Sequence, residues 1–254
     1  MNLTDNEHNH PGREAELLKP TDTSVVDHLW IVIPAYNVAR HLGTLIMQLR
    51  EAVPVDRMIV VNDGSSDDTG KVAEESGVRV VTFEKNRGKG LALRTGFQYA
   101  RSMEARWIMT IDGDLQHDPR HIPEFIQMAS RGSFDLIIGA RRRGESDMPW
   151  DRRFSNWSTS LLLRLITGRR IEDAQCGFRL FRAALLDGVS LRCRRYDFET
   201  EYLLSMIRKG ARIGWVPIST LYKGGSSSIR RLPDTMRFLR VVGRYLSKRN
   251  GGSG

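Results

Sequence analysis

The chain is poor in cysteine: its 254 residues hold two, Cys176 and Cys193. Two thiols cannot build a disulfide framework, and their spacing gives no zinc ligand set, so a reducing, cytoplasmic setting is expected. Long apolar runs are missing as well. No stretch approaches the ~20 residues needed to cross a bilayer, and the first residues lack the apolar core of a signal peptide, so a soluble or peripheral protein is expected. Aromatic residues are absent from residues 1–27, where six acids face two bases with no clear period; this stretch reads as a mobile tail. At the other end, Gly251-Gly252-Ser253-Gly254 has the chemistry of a flexible linker and is set aside from the fold. Acids are also in deficit, 30 against 39 Lys and Arg, for a net charge of +9. That balance points to polyanionic partners (nucleic acid, an anionic membrane or phosphate-bearing substrates) without choosing among them.

What is present can bury one core: 40% of the residues are hydrophobic and 27% charged. Short apolar runs near 29–33, 57–61, 78–83, 106–111, 135–139 and 212–217 alternate with helix-length amphipathic segments near 39–51, 89–102, 119–130, 154–167 and 199–208. The alternation predicts an α/β domain over residues 28–232, Rossmann-like, with a mostly parallel central sheet flanked by helices. Ligands of such sheets bind beyond the carboxyl ends of the strands, so the residues following each run are the candidates.

After the first run comes Pro34-Ala35-Tyr36-Asn37, whose aromatic face suits a nucleobase or ribose; a plain strand-to-helix turn is the simpler reading. After the second, Asn62-Asp63-Gly64-Ser65 offers a carboxylate that accepts from a base imide or ribose hydroxyl, while Asp67 or Asp68 caps the following helix. Lys85-Asn86-Arg87-Gly88-Lys89-Gly90 opens the next helix with glycines that let backbone amides approach an anion, but it lacks the spacing of a Walker loop. The run ending at Ile111 leads into Asp112-Gly113-Asp114-Leu115-Gln116. Two carboxylates at i and i+2 supply hard oxygen ligands for Mg²⁺ or Mn²⁺, the Gln116 amide adds a third, and Gly113 lets a diphosphate come close. An ion there offsets the charge developing on a departing nucleoside diphosphate; an acidic surface turn is the bland alternative. Asp118-Pro119 reads as a helix start. Arg141, Arg142, Arg143, Arg152 and Arg153 crowd a polar loop and suit phosphate oxygens, or else form a solvated basic loop.

In order, these motifs resemble those of family 2 glycosyltransferases with the GT-A fold, and more closely the polyprenyl-phosphate sugar synthases similar to dolichyl-phosphate mannosyl- and glucosyltransferases. The resemblance spans residues 29 to about 245 and adds Gly139-Ala140-Arg141, Gln175-Cys176-Gly177-Phe178-Arg179 and Val216-Pro217-Ile218 to the stretches above. It implies donor binding by Pro34, Tyr36, Asn37, Asp63, Lys89, Asp112, Gly113 and Asp114, and a divalent ion, Mg²⁺ or Mn²⁺, on Asp112, Asp114 and Gln116. It further implies that Arg141, Arg152 and Arg179 join Asp114 in the chemistry by holding the lipid phosphate or the donor diphosphate. Two departures stand out: Val38 replaces the acid often found after Pro-x-Tyr-Asn, and Lys223-Gly224-Gly225-Ser226-Ser227-Ser228 matches the late basic segment loosely.

The implied reaction is an inverting, single-displacement transfer of a hexose from a UDP-glucose or GDP-mannose type donor to a polyprenyl phosphate. A phosphate acceptor is already ionised, its second pKa being ~6, so no strong general base is needed. A hydroxyl acceptor, as in polysaccharide synthesis, would need one, with Glu199 or Glu201 as candidates. The helix expected over 233–250 sets Arg237, Arg240, Arg244 and Lys248 on one stripe and Phe238, Leu239, Val242, Tyr245 and Leu246 opposite. That pattern suits either an anionic membrane surface, placing the protein peripherally at the cytoplasmic face, or packing on its own domain. A nucleic-acid-binding module is disfavoured because aromatic and basic residues do not interleave. A nucleotidyltransferase, which also uses an acid pair, is a further reading.

Overall fold

The structure, a computed structural model, describes residues 23–141, 150–193, 197–220 and 231–250; side chains of 23–24, 150–154, 231–234 and 248–250 are outside the description. Its centre is a seven-stranded sheet: β1 (Leu29–Ala35), β2 (Met58–Asn62), β3 (Arg79–Thr82), β4 (Trp107–Thr110), β5 (Leu136–Arg141), β6 (Arg179–Arg182) and β7 (Ile213–Ile218). The helices are α1 (Thr23–Val26), α2 (Ala39–Leu49), α3 (Thr69–Glu75), α4 (Lys89–Ser102), α5 (Ile122–Ser130), α6 (Trp150–Thr167), α7 (Phe198–Arg208) and α8 (Arg231–Asn250). The innermost strands are continuous apolar runs because helices cover both faces: every residue of β2 and β4 is buried, and β1 keeps only Pro34 partly open.

The strand order β3-β2-β1-β4-β6-β5-β7 positions the site. From β1 the chain winds through α2, β2, α3 and β3 to one edge; α4 then carries it back across the sheet to β4, on the other side of β1. The crevice where the winding reverses, beyond the carboxyl ends of β1 and β4, is the usual ligand position of a doubly wound sheet. It is bordered here by Tyr36-Asn37 and by the Asp112 turn. α4 crosses closely because Gly96 is a glycine: a Cβ there would lie 2.3 Å from Val32 Cγ1.

β6 departs from the sequence expectation. It runs antiparallel between β4 and β5, pairing Thr110 with Arg179 and Ile138 with Arg179 on its two sides. Its reversed direction brings the preceding residues 173–178 to the carboxyl end of β4, where the Thr110 hydroxyl donates to the Gly177 carbonyl at 2.6 Å. Phe178 then stacks on Phe125, centroids 4.5 Å apart, and Phe181 meets Phe97 edge-on at 5.2 Å.

The amino end of the domain also departs from expectation, whereas the carboxyl-terminal helix takes largely the second of its two expected placements, packing on its own domain. The stretch read as a mobile tail is ordered from residue 23: α1 buries Val25, 3% exposed, within the core; residues 1–22 lie outside the described residues. α8 turns much of its apolar stripe onto its own domain. Val241 and Val242 are buried, Phe238 and Tyr245 pack against the core, and the Arg208 guanidinium lies 4.8 Å from the Tyr245 ring. Of the expected membrane face, Leu239 and Leu246 stay exposed. Residues 251–254 and 221–230 are outside the description.

Candidate active site

Loops following β1, β2 and β3 are tied together by side chains that the sequence presents as separate motifs. Asn37 adopts a left-handed φ of 53° and accepts from the Ser66 amide at 2.8 Å. Asp67 accepts from the amides of Ala39 and Thr69, joining the starts of α2 and α3. Asp63, 3% exposed, accepts from Arg87 N at 2.7 Å and Gly88 N at 2.9 Å. Its carboxylate therefore holds up the basic loop before α4. Two glycines make that turn possible: Gly88 has φ 97°, and at Gly64, φ 67°, a Cβ would lie 2.3 Å from the Lys85 carbonyl carbon. Tyr36 stands half open at the rim of this crevice, and Pro34 lies partly buried just before it in β1.

Lys89 is the first residue of α4, and its ammonium joins three elements. It lies 2.7 Å from Asp112 Oδ1 beyond β4 and 2.7 Å from Glu199 Oε1 in the first turn of α7. Burial pulls the ammonium's pKa down, but the two carboxylates outweigh it and hold the group above the ordinary lysine value. Burial likewise pushes the Asp112 carboxyl up, and Lys89, followed by His117, reverses this to below the usual range. Gly177 leaves room for Asp112: a Cβ there would sit 2.7 Å from Asp112 Oδ2. His117 Nε2 is 3.8 Å from the same oxygen; burial pulls its pKa down to about 4, so the imidazole is neutral at pH 7.

Among the described residues no cation forms an ion pair with Asp114. It accepts from the Gln116 amide at 3.1 Å, Leu115 between them bending the turn with φ 57°. Burial and then the Asp112 charge push its carboxyl above the ordinary value. Two neighbouring carboxylates, one held above its ordinary value by the other, fit a hard divalent ion, which would relieve that repulsion. Among the described residues no three His, Cys, Asp or Glu side chains converge as a metal cluster. The expected set, Asp112, Asp114 and Gln116, would by itself leave coordination positions open for other oxygen ligands.

The arginines fall into different classes. Arg141, at the carboxyl end of β5, forms a two-pronged pair with Asp173: Nε to Oδ2 at 2.6 Å and Nη2 to Oδ1 at 2.9 Å. Asp173, read from the sequence as loop, is 1% exposed and orients Arg141 at the carboxyl end of β5. Arg179 is 3% exposed in β6 and donates to the carbonyls of Cys176, Glu199 and Ala174 at 2.7, 3.1 and 3.0 Å. The expected phosphate contact therefore gives way to a structural one: the guanidinium satisfies three buried carbonyls and is not turned to the crevice. Arg152 lies on α6, but its side chain, like Arg142, Arg143 and Arg153, is outside the description. The two candidate bases are also engaged: Glu199 holds Lys89, and Glu201 Oε2 accepts from the amides of Arg192 and Cys193 at 2.8 and 2.7 Å.

The doubly wound sheet with an acidic turn at its reversal is a GT-A fold. Superposition on glucosyl-3-phosphoglycerate synthase from Mycobacterium tuberculosis, crystallised with Mn²⁺, UDP and glucosyl-3-phosphoglycerate, gives a TM-score of 0.66 at 24% identity, covering 88% of this chain and 80% of that one. The sequence profile of glycosyl transferase family 2 matches residues 30–189, and the chain belongs to that family; it is a glycosyltransferase. It is 30% identical over 216 residues to the UDP-N-acetylglucosamine–dolichyl-phosphate N-acetylglucosaminyltransferase of Methanococcus voltae, covering 76% of this chain and 86% of that one. With the undecaprenyl-phosphate mannosyltransferase of Micrococcus luteus it shares 31% over 199 residues, 74% and 81% of the two chains.

The Arg141–Asp173 pair makes a pH-dependent contribution. Burial pushes the Asp173 carboxyl up, but Arg141 outweighs it and the folded pKa is depressed. Such a group stabilises the fold above its unfolded pKa of ~3.9, and the contribution is lost as pH falls through the lower folded value. Asp173→Asn should therefore lower the unfolding free energy by about 2 kcal/mol at pH 7, part of the pair remaining solvent-screened. The deficit should shrink below pH 4. Urea melts at both pH values check this; an equal deficit at pH 7 and pH 3 would contradict the pairing.

Proposed function

We propose that this glycosyltransferase moves a hexose from a nucleoside diphosphate sugar of UDP-glucose or GDP-mannose type to a polyprenyl phosphate, with inversion in a single displacement. The observation carrying this reading is that Glu199 and Glu201, the candidate bases, are both committed to other groups, while Arg141 is held rigidly beside the acidic turn. A hydroxyl acceptor needs a base; a phosphate acceptor needs a cation. Relatives whose names specify dolichyl and undecaprenyl phosphate support the same choice.

In this reading Tyr36 stacks on the nucleoside, with Pro34 and Asn37 shaping the turn beneath it. Asp63 acts through the loop it holds, presenting Lys89 and the amides around Gly88. Asp112, Asp114 and Gln116 hold Mg²⁺ or Mn²⁺, which supplies charge stabilisation for the departing diphosphate, and Gly113 leaves space beside them. Arg141 orients the acceptor phosphate, with Arg152 as its proposed companion.

The acceptor's lipid chain requires a meeting with a membrane, and no helix among the described residues is long and apolar enough to cross one. The protein is proposed to act peripherally at the cytoplasmic face. α6 is suited to that contact: its inner edge is bonded to the site, Ser160 Oγ accepting from Ala174 N at 3.2 Å, and its outer face exposes Trp157, Leu161 and Leu165 beside exposed Arg164. An exposed apolar face beside a base matches an anionic lipid surface.

With labelled UDP-glucose or GDP-mannose and Mn²⁺, undecaprenyl or dolichyl phosphate should yield a sugar-linked lipid phosphate. Transfer to oligosaccharide acceptors with none to the lipid phosphates would overturn the acceptor assignment. Separately, Leu161→Asp/Leu165→Asp should weaken sedimentation with phosphatidylglycerol vesicles about tenfold, equivalent to ~1.4 kcal/mol of lost apolar burial. Turnover of detergent-dispersed acceptor should be unchanged. Undiminished vesicle binding would remove α6 from the membrane contact.

A further inference from the structure

A buried ammonium in contact with a carboxylate assigned to metal binding is a competitor for that carboxylate. Lys89 Nζ reaches both oxygens of Asp112, at 2.7 and 3.0 Å, and Glu199 holds it there from the opposite side at 2.7 Å. Glu199 is 5% exposed, and its Oε2 has no hydrogen-bond partner among the described residues. It stands in the first turn of α7, where a negative charge is favoured by the amides of the helix start. Nor is it placed to serve the acceptor: the cavity it lines with Tyr202 and Phe97 has about 10 Å³, room for one water.

We infer that Lys89, tethered by Glu199, is a resident counter-cation that occupies Asp112 while the donor is absent, making divalent-ion binding depend on the incoming diphosphate. The inference rests on the metal role proposed for Asp112 and Asp114. An ion arriving alone finds Asp114, the Gln116 amide and a carboxylate already neutralised by an ammonium. An ion arriving with a nucleoside diphosphate brings phosphate oxygens as further ligands, and those oxygens offer Lys89 a negative partner in exchange for Asp112. Nothing covalent changes: one buried ion pair is traded for two new ones. The consequence is positive coupling between metal and nucleotide, equal in both directions.

The test is Mn²⁺ binding without turnover, followed by the electron paramagnetic resonance of free Mn²⁺, with UDP and GDP as nucleotide probes. In the unaltered protein Mn²⁺ alone should bind weakly, and the nucleotide that binds should tighten it at least tenfold. Lys89→Met/Glu199→Met removes the cation with its tether, leaving the local net charge unchanged and avoiding a stranded buried carboxylate at 199. This variant should bind Mn²⁺ alone at least tenfold more tightly, and the nucleotide effect should shrink by the same factor. Lys89→Arg, which keeps the charge, should leave Mn²⁺ alone weakly bound. Unchanged or weaker Mn²⁺ affinity in the folded double variant, or tight Mn²⁺ binding in the unaltered protein, would overturn the inference. Asp114→Asn separates the two levels: if it loses nucleotide-supported Mn²⁺ binding while the double variant shows no gain, the metal site stands and the counter-cation falls. If Asp114→Asn binds Mn²⁺ undiminished, the metal site itself falls, and with it the counter-cation.

Discussion

The placement of one ammonium between two buried carboxylates organises this molecule's active end. Lys89 ties the start of α4 to the turn after β4 and to the start of α7, three elements far apart in the sequence. A buried ion pair is costly to assemble and costlier to break from one side. The three termini are therefore held in register by an electrostatic condition that none of them meets alone. Gly177, brought in by β6, must lack a side chain for Asp112 to lie where Lys89 reaches it.

Around that point, charges are sorted by what satisfies them. Asp63 is spent on the amides of the basic loop, Asp173 on Arg141, Glu201 on the amides of Arg192 and Cys193, and Arg179 on three carbonyls. Asp114 alone among the site carboxylates with a resolved shift is left with a raised pKa. The unmet electrostatic demand of the crevice is thus for a positive charge at the acidic turn. In the proposed function a divalent ion at this turn would offset the charge that develops on the departing diphosphate.

Much of this was legible in the sequence, and the parts that were not share a physical cause. β1, β2 and β4 announce themselves because strands buried on both faces must be apolar throughout, and the turn after β4 is readable because two acids, a glycine and an amide occupy five consecutive positions. β6 escaped because Arg-Leu-Phe-Arg is too short to show a period and opens with a charge. The resemblance implies a phosphate contact for Arg179, but a motif does not show that β6 carries this side chain among buried carbonyls. α3 shows in the sequence only as the helix that Asp67 or Asp68 caps, and α1 is four residues long beside an acidic stretch whose composition hides the buried Val25. The partnerships of Asp63 with Gly88, Arg141 with Asp173 and Lys89 with Glu199 link residues far apart in the chain, and local patterns carry no information on such pairs. Half of the α8 stripe looked available to a membrane because periodicity reports that a face is apolar, not what covers it.

The acidic turn is proposed to anchor the donor through a divalent ion. Thermal unfolding with UDP-, GDP- and dTDP-sugars, each with and without Mn²⁺, tests it most directly, since a ligand bound only by the folded state raises the melting temperature with its occupancy. One donor should stabilise the protein only when Mn²⁺ is present, and Asp114→Asn should abolish that shift. Stabilisation of equal size without metal, or retained in the variant, would contradict the account.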